Sequence, residues 1–380
     1  MKSKGKVFVG MSGGVDSAVA AALLKERGYE VIGVHLKCFN VDGCAADDAE
    51  DARRAAEHLG IPFYTFDYEQ EYKDRVVKYM VDGYKKGITP NPDVMCNKEI
   101  KFGLFYEKAM ELGADYVATG HYVRKVETRD QRLATKKPKS LVPSSWSLRV
   151  AADASKDQSY FLWAIRPEQL KRCLFPIGDY IKKTEVRKLA KKFNLPNAEK
   201  KDSQGICFLG QVMLPDFLKQ YIKPKKGKIV DLHGNELGEH HGAHFYTIGQ
   251  RHGLQITNNK RPTTNKHDTK PHYVVSKDVK KNILVVAEGD ENEALYRKEI
   301  DLVNLNFFIP KIKTENSKLK IPVMARVRYR QPVSPAVLSK LSVNRHKLTF
   351  AKPQKFVAEG QSAVFYDAKG VMLGGGVIAN

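Results

Sequence analysis

The stretch Val7–Ser17 constrains the fold of this chain more than any other part of the sequence. It opens with an uncharged apolar run, Val7–Gly10, which is typical of a strand buried inside a parallel sheet. A turn over Ser12–Gly14 leads into apolar residues at helical spacing from Val15 onward. A strand, a Gly-rich turn and a helix bring several backbone N–H groups and the positive end of a helix dipole together, and anions bind at such points. The stretch therefore predicts an α/β fold with a phosphate site after its first strand.

The residues of this turn support the same prediction. Gly13 and Gly14 let a phosphate approach the backbone without meeting a Cβ, and the hydroxyls of Ser12 and Ser17 add donors. Asp16 could hold a metal ion or cap the helix. The loop has neither the Gly-Lys-Ser/Thr ending of a Walker A loop nor the Gly-x-Gly-x-x-Gly of dinucleotide sites. It resembles the Ser-Gly-Gly-x-Asp-Ser loop of ATP pyrophosphatases, and the unbroken match favours nucleotide binding over a turn without a ligand.

Charge and cysteine usage restrict the partners and the compartment. The 380 residues carry 64 Lys and Arg against 43 Asp and Glu, a net charge of +21, which favours a polyanionic partner, nucleic acid before an anionic membrane surface. A Lys-rich surface without such a partner is the alternative. No uncharged apolar run reaches the ~18 residues of a membrane span, and the first strand follows the N-terminus too closely for a targeting peptide. The five cysteines, an odd number, favour reduced thiols and a cytoplasmic protein.

The pattern along the chain predicts three domains. Strands alternate with helical patterns as far as about residue 210, which predicts a doubly wound parallel sheet with its ligand at the carboxyl ends of the strands. Short β-rich runs punctuated by Gly, Pro and Asn follow from about Lys223. We therefore predict a nucleotide-binding and catalytic domain over 1–210, a small β-rich central domain over 211–275 and an antiparallel β-barrel over 276–380.

Smaller features of the pattern lead to further expectations. The segment 124–149 is predicted to be a hairpin or a basic surface insertion, and residues 156–162 are predicted to start a helix. Residues 245–248 read as a strand, and 260–270 as an exposed loop. The basic helix over 184–194 is either a solvated face or a contact with a phosphate backbone.

Two cysteines lie in sequence contexts that suggest chemistry. Cys96 is predicted to lie in a Pro-rich loop just before a helix, close to Lys98 and Lys101, and both the helix start and the positive charges favour a thiolate. Asp93, three residues earlier, is a candidate acid or base. Cys207 follows a flexible glycine in a polar loop. The other cysteines, Cys38, Cys44 and Cys173, read as small buried hydrophobic residues.

Taken together, these motifs resemble those of the tRNA-specific 2-thiouridylases over essentially the whole chain. The matching segments occur in the family's order: Gly10–Ser17, Asn91-Pro92-Asp93 with Cys96, Ala118–Tyr122, Lys156–Leu162, Gly205–Phe208, Tyr246–Arg251 and Gly360–Tyr366. A basic segment around 125–148 departs from the family's pattern. The resemblance implies that ATP and Mg²⁺ activate the C2 oxygen of the wobble uridine in tRNA, and that a cysteine persulfide then supplies sulfur.

The resemblance also implies roles for individual residues. Cys96 would be the nucleophile, Cys207 would carry the persulfide and Asp93 would move a proton. The expected nucleotide contacts are Gly10, Met11, Ser12, Gly13, Gly14, Val15, Asp16, Ser17, Leu36 and Gly120. The expected tRNA contacts are Asn91, Pro92, Asp93, His121, Lys156, Asp157, Gln158, Arg328, Tyr329 and Gln361. The implied partners are the anticodon arm of tRNA and a persulfide sulfur carrier or cysteine desulfurase relay, with no membrane partner.

Several alternatives stay open at this point. Cys96 could form a disulfide with Cys207 or free sulfide in place, or Asp93, Cys96 and Cys207 could hold an iron–sulfur cluster. Other ATP pyrophosphatases, such as lysidine or GMP synthetases, share the loop but do not need the paired thiols. A non-catalytic RNA-binding module is the alternative from outside the enzymes.

Overall fold

A computed structural model describes residues 3–39, 45–128, 145–201, 212–256, 270–308 and 320–379. Its N-terminal part contains a parallel sheet in the order β3-β2-β1-β4-β7 and a separate hairpin, β5-β6. The strands are β1 (Lys6–Gly10), β2 (Glu30–Lys37), β3 (Phe63–Asp67), β4 (Tyr116–Thr119), β5 (Arg124–Thr128), β6 (Ser145–Arg149) and β7 (Cys173–Leu174). The parallel sheet confirms the predicted α/β class.

Helices cover both faces of this sheet. They are α1 (Val15–Glu26), α2 (Ala45–His58), α3 (Glu69–Tyr72), α4 (Lys78–Lys85), α5 (Pro92–Met95), α6 (Phe105–Glu111), α7 (Pro167–Leu170) and α8 (Arg187–Lys192). Wider π-type turns join α3 to α4 over Lys73–Val77 and α5 to α6 over Cys96–Leu104, and a third, Lys182–Val186, precedes α8. Because successive strand side chains point to opposite faces, Val7 and Val9 pack with α1 and α2, whereas Phe8 packs with α4 and α6.

The second and third parts of the chain are β-rich, as predicted. Helix α9 (Leu214–Lys219) precedes a sheet in the order β10-β9-β8-β12-β11. Its strands are β8 (Gly227–Val230), β9 (Glu236–His240), β10 (Gln255–Ile256), β11 (His272–Asp278) and β12 (Ile283–Glu288). A closed antiparallel barrel follows, in the order β13-β16-β15-β14-β17-β18. Its strands are β13 (Tyr296–Phe307), β14 (Lys320–Arg326), β15 (Ser334–Ser342), β16 (Arg345–Lys355), β17 (Ser362–Tyr366) and β18 (Met372–Ala379).

The division into three domains stays a prediction, but sheet membership favours one shifted boundary. The boundary at 275/276 falls inside β11, which pairs with β12, and β12 pairs in turn with β8. Both strands therefore belong to the central sheet. A boundary after Glu288 keeps that sheet intact.

The shorter predicted elements agree with the structure only in part. The hairpin predicted within 124–149 is present as β5 and β6, and the middle of that segment lies outside the described residues, as do 260–269 of the expected loop. The helix predicted from Lys156 is wrong: only a 3-10 turn forms over Ser159–Leu162, because the Asp157 carboxylate binds both Ala151 N and Ser159 N and so folds the chain into a turn before Ser159. The strand predicted over 245–248 is also wrong. A 3-10 turn, Ala243–Phe245, follows Gly242, whose φ of +139° interrupts an extended chain.

Within the described ranges, no helix combines the length and the apolar composition that crossing a bilayer requires.

Candidate active site

The Gly-rich loop after β1 has the backbone of an anion site. Gly13 has a φ of +76°, and a Cβ there would collide with the carbonyl oxygen of Asp48. Ser17 Oγ donates to the Gly14 carbonyl at 3.1 Å and accepts from Ser12 N at 3.2 Å, which holds the turn closed. Gly14 is the N-cap of α1 and has no side chain to satisfy the first N–H groups. The start of α1 is therefore open to an anionic ligand.

The carboxyl ends of β1, β2 and β4 lie side by side because these strands are neighbours in the sheet. A Cβ on Gly120, just after β4, would lie 2.6 Å from Ser17 N, so the chain at Gly120 must run against the start of α1. Leu36 is half-buried near the end of β2. The strand order thus brings these residues to one edge of the sheet, and their contact with a nucleotide stays a prediction.

A buried lysine reaches into the same loop. Asp16 Oδ1 accepts from the Tyr122 hydroxyl at 2.7 Å and from Lys182 Nζ. The Lys182 side chain is 5% exposed, whereas that of Asp16 is 32% exposed. Lys182 was not among the predicted site residues, because it lies beside the basic helix predicted over 184–194 and resembles the other lysines there. Nothing in their spacing distinguishes the one that turns inward.

A second connection to the loop comes from the segment that leads to Cys207. Asn197 Nδ2 donates to the Gly13 carbonyl at 2.8 Å. Lys200 Nζ binds Asp48 Oδ1 at 2.7 Å and Asp51 Oδ2 at 2.6 Å, both on α2. These contacts anchor residues 197–200 beside the Gly-rich loop. Cys207 itself lies outside the described residues, and so does Cys44.

The other predicted thiol lies on a helix. Asn91 Oδ1 accepts from Val94 N at 3.2 Å and caps α5, and the helical chain continues from Pro92 through Glu111. Asp93 and Cys96 are one turn apart on the same face. Cys96 is 5% exposed and packs with Phe8 and Phe105. Its predicted position in a loop is therefore wrong, because the helix has already begun at Pro92.

The thiol helix, which we define as residues 92–111, packs directly against the loop end of the sheet. Phe105 lies 3.5 Å from the position of a Cβ on Gly10, the last residue of β1. The Phe102 ring lies 6.1 Å from the ring of His121, which follows β4. The helix that bears Asp93 and Cys96 thus contacts the same two strand ends as the Gly-rich loop.

His121 is buried beside this helix and bonds Thr119 Oγ1 through Nδ1 at 2.8 Å. Burial, assisted by the positive charge of Lys101, holds the pKa of His121 well below its usual value of 6.5. The imidazole is therefore neutral at pH 7.

This histidine predicts a pH dependence of stability. Below about pH 6.5 the unfolded chain binds a proton at this residue that the folded chain excludes, so its contribution to stability is present above pH 6.5 and is lost as pH falls. We expect His121→Gln to reduce the fall in the free energy of unfolding between about pH 7 and about pH 5, measured by urea denaturation. The same substitution at the exposed His252 is the control. An unchanged pH slope for His121→Gln would contradict this assignment.

Comparison with known proteins agrees with this geometry. Three family models match in succession: a tRNA methyl transferase HUP domain over residues 5–211, a tRNA methyl transferase PRC-barrel domain over 215–288 and an aminomethyltransferase beta-barrel domain over 297–378. The tRNA-specific 2-thiouridylase MnmA of Streptococcus thermophilus is 42% identical over 99% of this chain and 95% of its own length. That of Lysinibacillus sphaericus is 42% identical over 98% of this chain and 94% of its own. The chain belongs to the tRNA-specific 2-thiouridylase family.

Solved structures resemble this thiouridylase-family chain only weakly. A Francisella tularensis NMN synthetase matches with a TM-score of 0.33 and 19% identity, over 53% of this chain and 67% of the other. A 4-thiouridine synthetase, solved as an RNA complex with bound ATP, matches with a TM-score of 0.32 and 19% identity, over 57% and 50%.

One expected tRNA contact in this family member, Asp157, is buried inside the fold. Asp157 is 4% exposed, and its oxygens accept from Ala151 N, Ser159 N, Ser159 Oγ and Arg326 Nη2. The bond to Arg326 joins the N-terminal part to β14 of the barrel. Asp157 is therefore a buried link between two parts of the fold, and its contact with tRNA stays a prediction.

The other expected tRNA contacts differ in accessibility. Lys156, Gln158, Arg328, Tyr329 and Gln361 are half-buried, as is Asp93, whereas Asn91, Pro92 and His121 are buried. Gln158 Oε1 accepts from Tyr122 N at 2.9 Å. The Tyr329 ring packs 4.4 Å from the Phe161 ring, and Gln361 bonds the backbone ahead of Asn91. Their contact with tRNA stays a prediction.

The remaining described cysteines behave as expected of small hydrophobic residues. Cys173 is fully buried in β7, its Sγ donates to the Gln169 carbonyl at 3.2 Å, and burial raises its pKa to about 12. Cys38 is half-buried. Among the described residues no group of three His, Cys, Asp or Glu side chains is placed to hold a metal ion, and the predicted cluster would need Cys207 from outside them.

Proposed function

We propose that this protein replaces the C2 oxygen of the wobble uridine in tRNA by sulfur, with ATP as the activating substrate. The observation that carries the proposal is the packing of the helix bearing Asp93 and Cys96, through Phe102 and Phe105, against the strand ends that flank the Gly-rich loop. A reactive thiol and a phosphate site at one sheet edge suit a reaction that joins nucleotide activation to sulfur transfer. The relatives at 42% identity are tRNA-specific 2-thiouridylases, which supports the same substrate.

The first step activates a poor leaving group. The C2 oxygen of uridine attacks the α-phosphate of ATP, which forms an adenylated base and releases pyrophosphate. Gly13, Gly14 and the uncapped start of α1 would bind the phosphates. Lys182 would offset negative charge as pyrophosphate leaves. Mg²⁺ accompanying ATP would offset phosphate charge, with Asp16 as the loop carboxylate able to contact it.

The second step moves sulfur. The terminal sulfur of a Cys207 persulfide, loaded by a sulfur carrier, attacks C2. The Cys96 thiolate then attacks the Cys207 sulfur, so the S–S bond breaks, its electron pair stays with the transferred sulfur, and AMP leaves. The products are 2-thiouridine, AMP and a Cys96–Cys207 disulfide. A thiol reductant then reduces this disulfide and restores both free thiols.

In the alternative route, Cys96 attacks the persulfide first and frees sulfide beside C2. Asp93, one turn before Cys96, is the candidate to move the proton.

The test is thiolation of an unmodified transcript of a glutamate or lysine tRNA with ATP, Mg²⁺ and a persulfide source. The product is read by retardation on a mercury-containing gel. We expect a retarded band that requires ATP. If tRNA triggers the release of pyrophosphate but no retarded band forms, the adenylation step would be supported and the sulfur step contradicted. The absence of both signals would contradict the proposal and favour an RNA-binding role.

Two of the matching family models describe tRNA methyl transferase domains, so methyl transfer to tRNA is the second candidate. A methyl group carried on a sulfonium donor is already activated, so this reaction needs neither a phosphate-binding loop nor two thiols. Incubation with labelled S-adenosylmethionine in place of ATP and persulfide separates the two. Label in the tRNA would favour methyl transfer.

A further inference from the structure

Two sequence motifs have no role in the proposed reaction, namely 246–251 in the central domain and 360–366 in the barrel. In the fold, residues of both motifs contact the same short segment. That segment is Thr89–Pro90, which directly precedes the Asn91 cap of the thiol helix.

Every polar group of Thr89 forms a hydrogen bond with another part of the fold. Thr89 N donates to the Glu359 carbonyl at 2.8 Å, and Gln361 Nε2 donates to the Thr89 carbonyl at 2.9 Å and to the Pro90 carbonyl at 3.2 Å. On the other side, Thr89 Oγ1 donates to Thr247 Oγ1 at 3.3 Å. Thr89 is 6% exposed. A single residue of the catalytic domain is thus bonded to the barrel and to the central domain together.

Backbone packing around this residue leaves little room for movement. Gly360 has a φ of +86°, and a Cβ there would lie 3.0 Å from the Thr89 carbonyl carbon. A Cβ on Gly83 would lie 2.7 Å from Pro90 Cγ, and one on Gly87 would lie 2.7 Å from Val279 Cγ1. The whole connection between α4 and α5 is therefore packed closely, with Val279 of the central domain against its start and Gly360 of the barrel against its end.

The barrel and the central domain are also tied to each other beside this point. Arg328 Nη2 donates to the Ile248 carbonyl at 3.3 Å, and its guanidinium lies 5.7 Å from the Phe356 ring centre. The Phe356 ring stacks on that of Tyr273 at 5.5 Å and fills the space beside Gly249. Arg328 and its neighbour in sequence are expected tRNA contacts. A tRNA bound there would therefore act on Ile248, which is next in sequence to the Thr247 that bonds Thr89.

We propose that Glu359, Gln361 and Thr247 form a clamp that positions the thiol helix, and that Gln361 is a positioning residue and not a direct tRNA contact. The proposal rests on the proposed function and deepens it by naming how the two β-rich domains act on the catalytic thiol. A shift at Thr89–Pro90 moves the Asn91 cap, and Asp93 and Cys96 follow within the next turn and a half of the helix. A displacement of about 1 Å at reacting groups can lower a rate by roughly 100-fold.

The first test needs neither ATP nor tRNA. Gln361→Glu keeps the size of the side chain but replaces its donor by a carboxylate that repels the two carbonyls. We expect hydrogen exchange of residues 89–96 to rise roughly tenfold in this variant. Alkylation of Cys96 in the reduced protein, followed by peptide mass spectrometry, should accelerate similarly. Because these measurements are independent of thiolation, they stand even if the proposed function fails.

Asn306→Asp is the matched control. Asn306 Nδ2 also donates from the barrel to two carbonyls of the N-terminal domain, those of Trp163 at 2.8 Å and Ile165 at 2.7 Å. We expect this variant to leave exchange at 89–96 and alkylation of Cys96 unchanged. Equal loosening of 89–96 in both variants would overturn the proposal, because it would show only a general weakening of domain contacts.

Kinetics distinguishes positioning from tRNA contact. We expect Gln361→Glu to lower kcat for thiolation by roughly tenfold or more, with KM for tRNA within about twofold of the original value. Gly360→Ala, which opens the clamp without changing Gln361, should reproduce both the exchange and the kcat effects. A raised KM with unchanged kcat and unchanged exchange would identify Gln361 as a tRNA contact and overturn the proposal.

Discussion

Cys96→Ser is expected to lower thiolation by at least ~1000-fold, because an alcohol at this position cannot attack a persulfide sulfur as a thiolate does. Cys207→Ser should have the same effect, since a serine cannot carry the persulfide. Affinity for tRNA should stay within about twofold in both variants, because phosphate contacts elsewhere on this basic chain dominate binding. Thiolation is measured on mercury gels and tRNA binding by filter retention at a fixed salt concentration.

Cys173→Ser is the matched control for these two variants. Cys173 is as buried as Cys96, and a serine hydroxyl can keep its bond to the Gln169 carbonyl. This variant should retain thiolation. Near-normal turnover in either Cys96→Ser or Cys207→Ser would contradict the two-thiol relay.

Experiments on the same proteins distinguish the three alternatives for the sulfur step: a disulfide between the thiols, free sulfide, or an iron–sulfur cluster. Single-turnover reactions quenched with acid should yield a Cys96–Cys207 disulfide peptide if Cys96 attacks the Cys207 sulfur. Free sulfide without that peptide indicates release in place. Purification under anaerobic conditions with iron and sulfide assays tests the cluster, and an active protein without iron would exclude it.

Asp157→Ala is expected to destabilise the contact between the N-terminal domain and the barrel by ~3–5 kcal/mol. The substitution leaves the Arg326 guanidinium buried without its carboxylate, and removing one partner of a buried pair costs about that much. Ser159 Oγ at 3.0 Å and the Tyr366 hydroxyl at 2.7 Å would still accept from Arg326, but neither carries the balancing charge. The Arg326 Nε has no hydrogen-bond partner among the described residues, so the site has no spare acceptor.

Urea denaturation followed by the fluorescence of Trp163 measures this effect, with Trp146→Phe removing the other tryptophan. Trp163 reports on the interface because its Nε1 donates to Oγ of Ser362, in β17 of the barrel, at 2.9 Å. The double variant Asp157→Leu with Arg326→Met is the control. Because it removes both charges, it should recover most of the lost stability.

This experiment also tests whether Asp157 contacts tRNA or serves as a buried link. A direct tRNA contact would change tRNA affinity in the Asp157 variant and leave the unfolding transition of Trp163 in place. Loss of stability with unchanged tRNA affinity at a temperature where the variant is folded would support the buried link.

The local sequence was sufficient to predict the β1–loop–α1 unit. Its strand, turn and helix follow from residues that are neighbours in the chain, namely an apolar run, two glycines and apolar residues at helical spacing. The alternation of strands and helices was also sufficient for the parallel sheet, because right-handed crossovers leave few other arrangements. The two β-rich parts followed from their short strands and frequent turn residues.

Prediction from the local sequence failed where a side chain had two possible sets of hydrogen-bond partners. The segment from Lys156 has a helical pattern, but the Asp157 carboxylate binds nearby N–H groups and Arg326 instead, so only a 3-10 turn forms. The loop position predicted for Cys96 failed for a simpler reason. Asn91 caps the helix well before the point that the Pro-rich composition suggested.

The sequence by itself thus determined the fold class, the Gly-rich loop and the two thiol motifs, because each depends on the order of neighbouring residues. Only the tertiary structure decided which charged and polar side chains turn inward. Lys182 meets Asp16 across 166 positions, Arg326 meets Asp157 across 169, and Gln361 meets Thr89 across 272. A buried charged or polar group is tolerated only when a partner lies within hydrogen-bond distance. The partners here are far apart in the chain, so no periodic pattern in the sequence marks them.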